Sequence, residues 1–353
     1  MPHPESTPDP PLPDPRPFDG TPEEWDAAVA RLEGTFCHLW GWGEVFRSVF
    51  GHDAHRWVDR DAEGAIRGLL PAVLMRSPLF GRNLVSMPFL NYGGALGEST
   101  SREALTRAAV AFGREAGARL VEIRDRVPVE TGFPVSREKV TVLLPLPDDA
   151  ETLWTDGLKG KVRSQVRRPR KAGMTAAVGL AGMDDFYDVF ARNMRDLGTP
   201  VLPRRLFHAI AETFPEEAVV CLVESDGQPV AGGCGFLYRG EFELTWASSL
   251  REHSREAPNM LLYWTLMEAM IERGATTFNF GRCSPGGGTH RFKLQWGGED
   301  EQLHWTRWSP GGDGAPPSAE GGLYQTAISM WQKLPLPVAN ALGPLISRGL
   351  PTW

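Results

Sequence analysis

Residues 111–125, AFGREAGARLVEIRD, and residues 268–282, EAMIERGATTFNFGR, carry one pattern twice. Each is a helix that runs into Gly-Ala, at Gly117 and Gly274, and is followed by an alternating strand. Glycine just past a helix end adopts the left-handed conformation at little cost, so both stretches read as helix, stop, strand. Working outward, a hairpin precedes each copy. HRWVDR-DAEG-AIRGLLPAVLM turns at Asp61–Gly64, and AVVCLVES-DGQP-VAGGCGFLYRG turns at Asp226-Gly227. Asp-Gly between two apolar runs is a strong hairpin signal. Each copy also holds a strand ending in a small polar patch, SMPFLNYGG in the first and FELTWASSL in the second. These patches make Asn91, Tyr92, Trp246 and Ser248 candidate substrate contacts. The repeated order of hairpin, strand, helix and strand predicts an α/β (α+β) chain. Two mixed sheets flanked by helices should meet at a cleft.

Other helices fit around the two units. Thr21-Pro22-Glu23-Glu24 is a capping box that opens a helix through about Leu32. DDFYDVFARNMRDLG (184–198) has an amphipathic period and a Gly stop, and PRRLFHAIAETF (203–214) is a further helix. The segment 259–273 is largely apolar and predicts a buried helix with Asn259 as its cap.

The chain has 353 residues, with 37 Lys+Arg against 44 Asp+Glu and a net charge of -7. That balance excludes a bulk-cationic DNA coat and leaves room for a local basic site. Cys37, Cys221, Cys234 and Cys283 stand apart, with no CxxC and no metal-finger spacing, so neither a disulfide scaffold nor a metal site is expected. The first nineteen residues form a Pro-rich tail, with eight prolines among the first seventeen, and lack the pattern of a secretory signal. No run approaches the roughly 18 apolar residues of a membrane helix. The expectation is a cytoplasmic protein with reduced thiols. SPGGDGAPPSAEGG (309–322) reads as a linker, and the apolar, Pro-broken segment 323–353 as a piece packed on the body. An alternative for that segment is a docking surface for a partner or a membrane.

The clearest electrostatic anomaly is KGKVRSQVRRPRK (159–171), seven cations in thirteen positions with no acid. At helical spacing Arg163, Arg167, Arg170 and Lys171 share a face, and their mutual repulsion calls for an anionic partner. Phosphate, diphosphate and RNA backbone all suit guanidinium forks, while a solvated helix face is the bland alternative. Pro169 is expected to kink the segment. Farther on, CSPGGGTHRFKLQWGG holds three consecutive glycines bracketed by Arg282, Arg291 and Lys293. No GK[ST] follows, so this is not a nucleotide P-loop. The alternation Phe292-Lys293-Leu294-Gln295-Trp296 reads as a short strand with Lys293 facing the cleft.

Together LWGWGEVFRSVFGH, GLLPAVLM, SPLFGRNLVSMPFLNYGG, KGKVRSQVRR, FNFGR and HRFKLQWGG resemble the FemAB-like N-acyltransferases. The exosortase-associated (PEP-CTERM) branch is the most similar. The resemblance covers about residues 20–350 and implies two tandem GNAT-like acyltransferase domains, taken as 20–156 and 157–308. Fem ligases move an aminoacyl group from aminoacyl-tRNA to an amine on a peptidoglycan precursor. By that resemblance Lys293 matches their site lysine, and Arg163 and Arg167 match their basic segment before the second domain. Asn279 stands where the family pattern leads one to expect Asp.

Acyl transfer to an amine needs stabilisation of a tetrahedral oxyanion but no covalent enzyme intermediate, so a chain without a GxSxG elbow suits it. Lys293 is the expected catalytic group, assisted by backbone amides near Trp246–Ser248. His290 and Glu243 are candidate bases. No tightly bound cofactor is expected. CoA-using GNAT enzymes offer a Gly-rich turn to the pyrophosphate. Here the matching stretch, REHSREAPN (251–259), has no glycine and carries Glu252 and Glu256. An aminoacyl-tRNA donor is therefore favoured over acyl-CoA, with a phosphate-bearing envelope precursor as acceptor. A CoA-dependent acetyltransferase and a non-catalytic nucleotide-sugar binding module stay open.

Overall fold

The computed structural model describes residues 13–312 and 322–351. The first half contributes β1 (Arg16–Pro17), β2 (Asp53–Arg60), β3 (Ile66–Ser77), β4 (Gly81–Val85), β5 (Leu96–Gly97), β6 (Leu120–Asp125) and β7 (Val135–Ser136). It ends with β8 (Val140–Pro145), and the second contributes β9 (Thr175–Val178), β10 (Ala218–Ser225), β11 (Gln228–Tyr238), β12 (Glu241–Ser249), β13 (Thr277–Cys283), β14 (Glu299–Gln302) and β15 (His304–Trp308). Helices are α1 (Pro22–Arg31), α2 (Gly41–Phe50), α3 (Ser99–Glu115), the single turn α4 (Ala150–Thr152), α5 (Gly160–Lys171), α6 (Met183–Leu197) and α7 (Arg204–Thr213). They continue with α8 (Pro258–Glu272), α9 (Gly288–Leu294), α10 (Gly322–Trp331) and α11 (Leu336–Ser347).

Two mixed sheets result. One runs β1-β2-β3-β4-β6-β15-β7, with β5 also on β3, and the other runs β9-β10-β11-β12-β13-β8-β14. The repeat is visible strand by strand. The hairpin β2–β3 answers β10–β11, and the parallel pair β4–β6 answers β12–β13. Both hairpins form where the sequence places them, the second through Asp226 and Gly227 at φ 51° and 74°. Two central residues at positive φ define the tight turn that matches strand twist.

The sixth strands are exchanged. Strand β8 follows the first unit yet pairs with β13 of the second, while β15 follows the second unit and pairs with β6 of the first. Each sheet is thus completed by chain that belongs, in sequence order, to the other side of the repeat. A shared apolar core reinforces the union: Phe36 stacks on Phe236 with ring centroids 4.3 Å apart, and Trp42 contacts Phe214 at 4.8 Å. Separate cores lie under α3 in the first half and α8 in the second.

Several sequence expectations change. Residues 86–94 do not continue β4; they leave the sheet with Met87 and Phe89 at positive φ. Phe292–Trp296 is not a strand but lies largely in α9, because the preceding glycines lead directly into a helical turn. Asn259 does not cap α8; Ala257 at φ 56° does, with Pro258 at the first helical position. Pro169 sits in the last turn of α5 with its ring buried, and the helix continues to Lys171. The end of the Pro-rich tail is ordered: Arg16–Pro17 pair with β2, and Phe18 packs edge-on against Trp25 and Trp40. Most of the expected linker, 313–321, lies outside the described residues. Beyond it α10 and α11 pack on the body, with the Ser347 hydroxyl donating to the Val201 carbonyl at 3.0 Å.

Candidate active site at the seam of the two halves

In each sheet the parallel central pair is short. Strand β12 pairs with β13 only over Glu241–Glu243 and Thr277–Asn279, and β4 with β6 only over Asn83–Val85 and Leu120–Glu122. Beyond those residues one edge of each strand is released. In the second half the N-terminal half fills the gap. Gly281 has φ 70°, and a Cβ there would lie 2.9 Å from the Asn91 side-chain nitrogen and 3.0 Å from the Leu244 carbonyl oxygen. Glycine is required on both counts.

The excursion 86–95 delivers Asn91 and Tyr92 to this point. Arg124, fully buried, holds it by donating to the Leu90 carbonyl at 3.0 Å. The Asn91 amide donates to Glu243 Oε1 at 2.7 Å, and the Thr245 hydroxyl donates to the same oxygen at 3.1 Å. The Tyr92 hydroxyl donates to Glu241 and accepts from Asn279 Nδ2 at 2.8 Å. Asn279 is fully used: its amide also donates to Glu241, and its oxygen accepts from the Thr141 hydroxyl and the Gly281 N–H. An aspartate would set a second carboxylate 2.8 Å from Glu241, which explains asparagine at this slot. Arg126 closes the seam by bonding both Glu241 and Glu301.

Beneath the excursion lies a cavity of about 440 Å³ whose walls include Thr35, His38, Tyr92, Gly94, Arg102, Asp125 and Arg126. A second, of about 230 Å³, shares Glu33, Thr35 and Arg126 with it and reaches Glu241. Asp125, at the end of β6, is buried. Its Oδ1 accepts the Ala95 N–H at 2.8 Å, and its Oδ2 has no partner. Burial pushes its carboxyl up to about 7, against the pull of the Ala95 bond and of Arg102. Burial likewise raises Glu243 to about 7 and lowers His38 to about 4, so His38 is neutral at pH 7. Nothing in the sequence marks Asp125. A lone aspartate ending a strand has no motif, and only its unpartnered oxygen beside a cavity marks it.

The predicted residues divide between roles. Lys293 is 4% exposed and donates to the Gly281 and Arg282 carbonyls, the latter at 2.9 Å, so it braces the bulge of β13 against the seam. Burial lowers its ammonium to about 8. Arg282 is half-buried with its guanidinium over Trp305, 5.3 Å from the ring centroid, and desolvation lowers it to about 9. Arg163 points back to the chain, donating to the carbonyls of Trp154, Thr155 and Leu158. Arg167 is exposed above Trp154, and Arg291 donates to the Gly286 carbonyl. The Trp246 ring belongs to the shared core against Phe207, and the Ser248 hydroxyl accepts from Asn193. His290 is a staple: it accepts the Gly286 N–H on Nδ1 and meets Asp300 through Nε2 at 2.9 Å. In the loop 251–257, Glu252 pairs with Arg192 at 2.7 Å.

Residues 158–294 match the family model described as acetyltransferase (GNAT) domain. The matched segment lies within the second half. The chain resembles a crystal structure of FemX, with TM-score 0.64, 16% identity, and coverage of 82% of this chain and 96% of that one. It also resembles the C-terminal domain of a putative lysylphosphatidylglycerol synthetase from Agrobacterium fabrum, with TM-score 0.56, 13% identity and coverage of 83% and 94%. A tandem GNAT protein from the clavulanic acid biosynthesis pathway aligns at TM-score 0.51, 14% identity and coverage of 86% and 99%. No curated protein sequence matches significantly. At these identities the likeness establishes the fold: two GNAT-like units, fused through exchanged strands.

Proposed function

We propose that the chain is a Fem-like N-acyltransferase that moves an acyl or aminoacyl group onto an amine of a cell-envelope precursor. The acceptor is a peptidoglycan peptide or, in keeping with the exosortase-associated resemblance, an exopolysaccharide amino sugar. The observation that carries this reading is Asp125: a buried carboxyl raised to about 7 in the wall of a cavity at the seam, with one oxygen that has no partner and is closed off from solvent. Such a group binds an ammonium and takes its proton at neutral pH. The freed amine then attacks the acyl carbonyl. The oxyanion forms and collapses as the C–O or C–S bond to the donor breaks, and the proton shed by the attacking nitrogen leaves with the donor's oxygen or sulfur as hydroxyl or thiol, giving the amide.

Backbone amides along the released edge of β12 are the expected oxyanion donors, with Lys293 holding the opposite strand and supplying positive charge. Arg167 and the neighbouring exposed Arg168 and Lys171 on α5 suit a phosphorylated substrate or tRNA. Aminoacyl-tRNA is favoured as donor. Pro258 at the start of α8 offers no N–H to a diphosphate, and the preceding loop carries Glu252 and Glu256. The test supplies the full chain with labelled aminoacyl-tRNA or labelled acetyl-CoA and an envelope precursor. Label passing from aminoacyl-tRNA to the precursor amine, lost in Asp125→Asn, is expected. Micromolar binding of acetyl-CoA with acetyl transfer would replace this donor. Envelope precursors of unchanged mass in cells with and without the protein would overturn the reading.

A further inference from the structure

One residue grips the excursion that carries Asn91 and Tyr92 at its start, middle and end. The Arg124 N–H donates to the Ser86 hydroxyl at 2.7 Å, its guanidinium donates to the Leu90 carbonyl at 3.0 Å, and its carbonyl accepts the Gly93 N–H at 3.2 Å. The next residue in the chain is Asp125, which takes the Ala95 N–H. Arg124 thus sets the path of the whole segment relative to the carboxyl it follows. Its side chain is fully buried, with Nε donating to Glu122 at 2.8 Å and the guanidinium 4.6 Å from the Trp305 ring centroid. The remaining arm of the fork, Nη2, donates at 2.7 Å to the carbonyl of Pro351, 227 positions away.

No helix of the described residues is long and apolar enough to cross a membrane, and the segment that follows α11 is seated on the first half. The His52 ring meets the Arg348 carbonyl through Nε2 at 2.6 Å, and the Arg348 guanidinium donates to the Phe50 carbonyl at 3.2 Å. Gly349 passes so close to the end of β3 that a Cβ there would lie 2.6 Å from the Ser77 Cβ, an approach that only glycine permits. The segment is therefore anchored at sites separate from Arg124 and presents the Pro351 carbonyl to it. A buried N–H deprived of its acceptor must admit water or turn to another acceptor. Either response shifts the guanidinium that also holds Leu90.

We propose that Arg124 is a positioning residue for the active site and that the segment Arg348–Pro351 is the strap that fixes it. The role rests on the acyl-transfer reading, whereas the mechanical coupling between strap and excursion does not. With the strap seated, the guanidinium bridges Leu90 and Pro351 and cannot turn without breaking a buried bond. Without it, the excursion loosens, and Asn91, Tyr92 and the Ala95 N–H lose their fixed places beside Glu243 and Asp125.

Two variants test this and leave every residue of the site unchanged. Gly349→Leu forces the strap off Ser77, and a chain stopped after Ser347 removes it while keeping the Ser347 hydroxyl on the Val201 carbonyl. Hydrogen exchange read by mass spectrometry should be about tenfold or more faster over 86–95 in both, with β9 and β10 exchanging as in the native chain. In label transfer, kcat should fall roughly tenfold or more while KM for the donor stays within about twofold, the signature of misplaced groups and not of lost donor binding. Unchanged exchange over 86–95 in the shortened chain overturns the proposal. So does uniform acceleration across both sheets in both variants, which would make the strap a general stabiliser. Local acceleration over 86–95 alongside a native chain that transfers no label upholds the coupling and sinks the acyl-transfer reading instead.

Discussion

Asn91 and Glu243, 152 positions apart, share a hydrogen bond of 2.7 Å that joins the two halves where the second sheet opens. The bond binds a group from one copy of the repeat to a carboxylate whose burial has raised it to about 7. Asn91→Leu should therefore cost about 1–3 kcal/mol, the usual price of a buried acceptor losing its donor. The cost should be larger at pH 8, where Glu243 is ionised, than at pH 5, where it is protonated. Urea unfolding at both values checks this; an equal loss at each would place the bond outside the energetics of Glu243.

Asp125 gives a prediction of opposite sign for stability and activity. Its folded carboxyl is raised to about 7 from 3.8, so the folded state holds a proton that the unfolded state has released between those values. Stability from this group is therefore present below about pH 4 and lost as pH rises to 7, by roughly 4 kcal/mol at most. Asp125→Asn keeps the shape, can still accept from Ala95, and removes the buried charge. It should melt higher than the native chain at pH 8, nearly equal to it at pH 4, and be inactive in label transfer. A variant less stable at pH 8 would show that the unpartnered oxygen is not the liability described.

The architecture was legible because the period-two and period-3.6 patterns repeat with the same turn chemistry, and Asp226-Gly227 or Gly117 dictates local geometry wherever it stands. The site was legible only in part. Asn91, Tyr92 and Lys293 were singled out, and the structure brings all three to the seam. The alternation of Lys293 with Phe292 and Leu294 mimics a strand, and a seven-residue helix is too short for its own period to show. Arg163 looked like an anion ligand, yet a guanidinium beside an irregular helix end finds three carbonyls of its own chain first. Asp125 and the exchanged strands were invisible for a common reason. Both depend on contacts between residues distant in the chain, 30 positions for Asp125 and Ala95 and more than a hundred for β8 and β13, which local pattern does not encode.

Lys293 separates its two proposed contributions by pH. Burial lowers its ammonium to about 8 from 10.5, so the folded state sheds its proton first. Its contribution to stability therefore rises with pH between 8 and 10.5. If its charge serves the reaction, activity should fall across pH 8 while stability does not. Lys293→Met should slow transfer by hundreds-fold, corresponding to about 2.7–4 kcal/mol of barrier. It also leaves the Gly281 and Arg282 carbonyls without this donor. Near-native activity in a folded Lys293→Met protein would remove the residue from the mechanism.

The strand exchange predicts that neither half is an independent folding unit. Glu122, fully buried on β6, is neutralised by Arg124 in its own half and by Arg307 on β15, each at 2.8 Å. Burial works to raise its carboxyl, yet the two guanidinium groups outweigh it and hold it below the usual range. Withdrawing Arg307 leaves that carboxylate half-matched in a dry site, so Arg307→Ala should cost about 3–5 kcal/mol. A fragment spanning 20–156 loses all of β15, exposes the edge of β6, and carries β8 with no partner. It should show no cooperative melt by itself, whereas adding the complementary fragment 157–353 should restore one, since both exchanged strands then find their sheets. A sharp transition in the isolated fragment would mean that β8 can turn back and serve its own half, and that the exchange is a packing preference instead of a requirement.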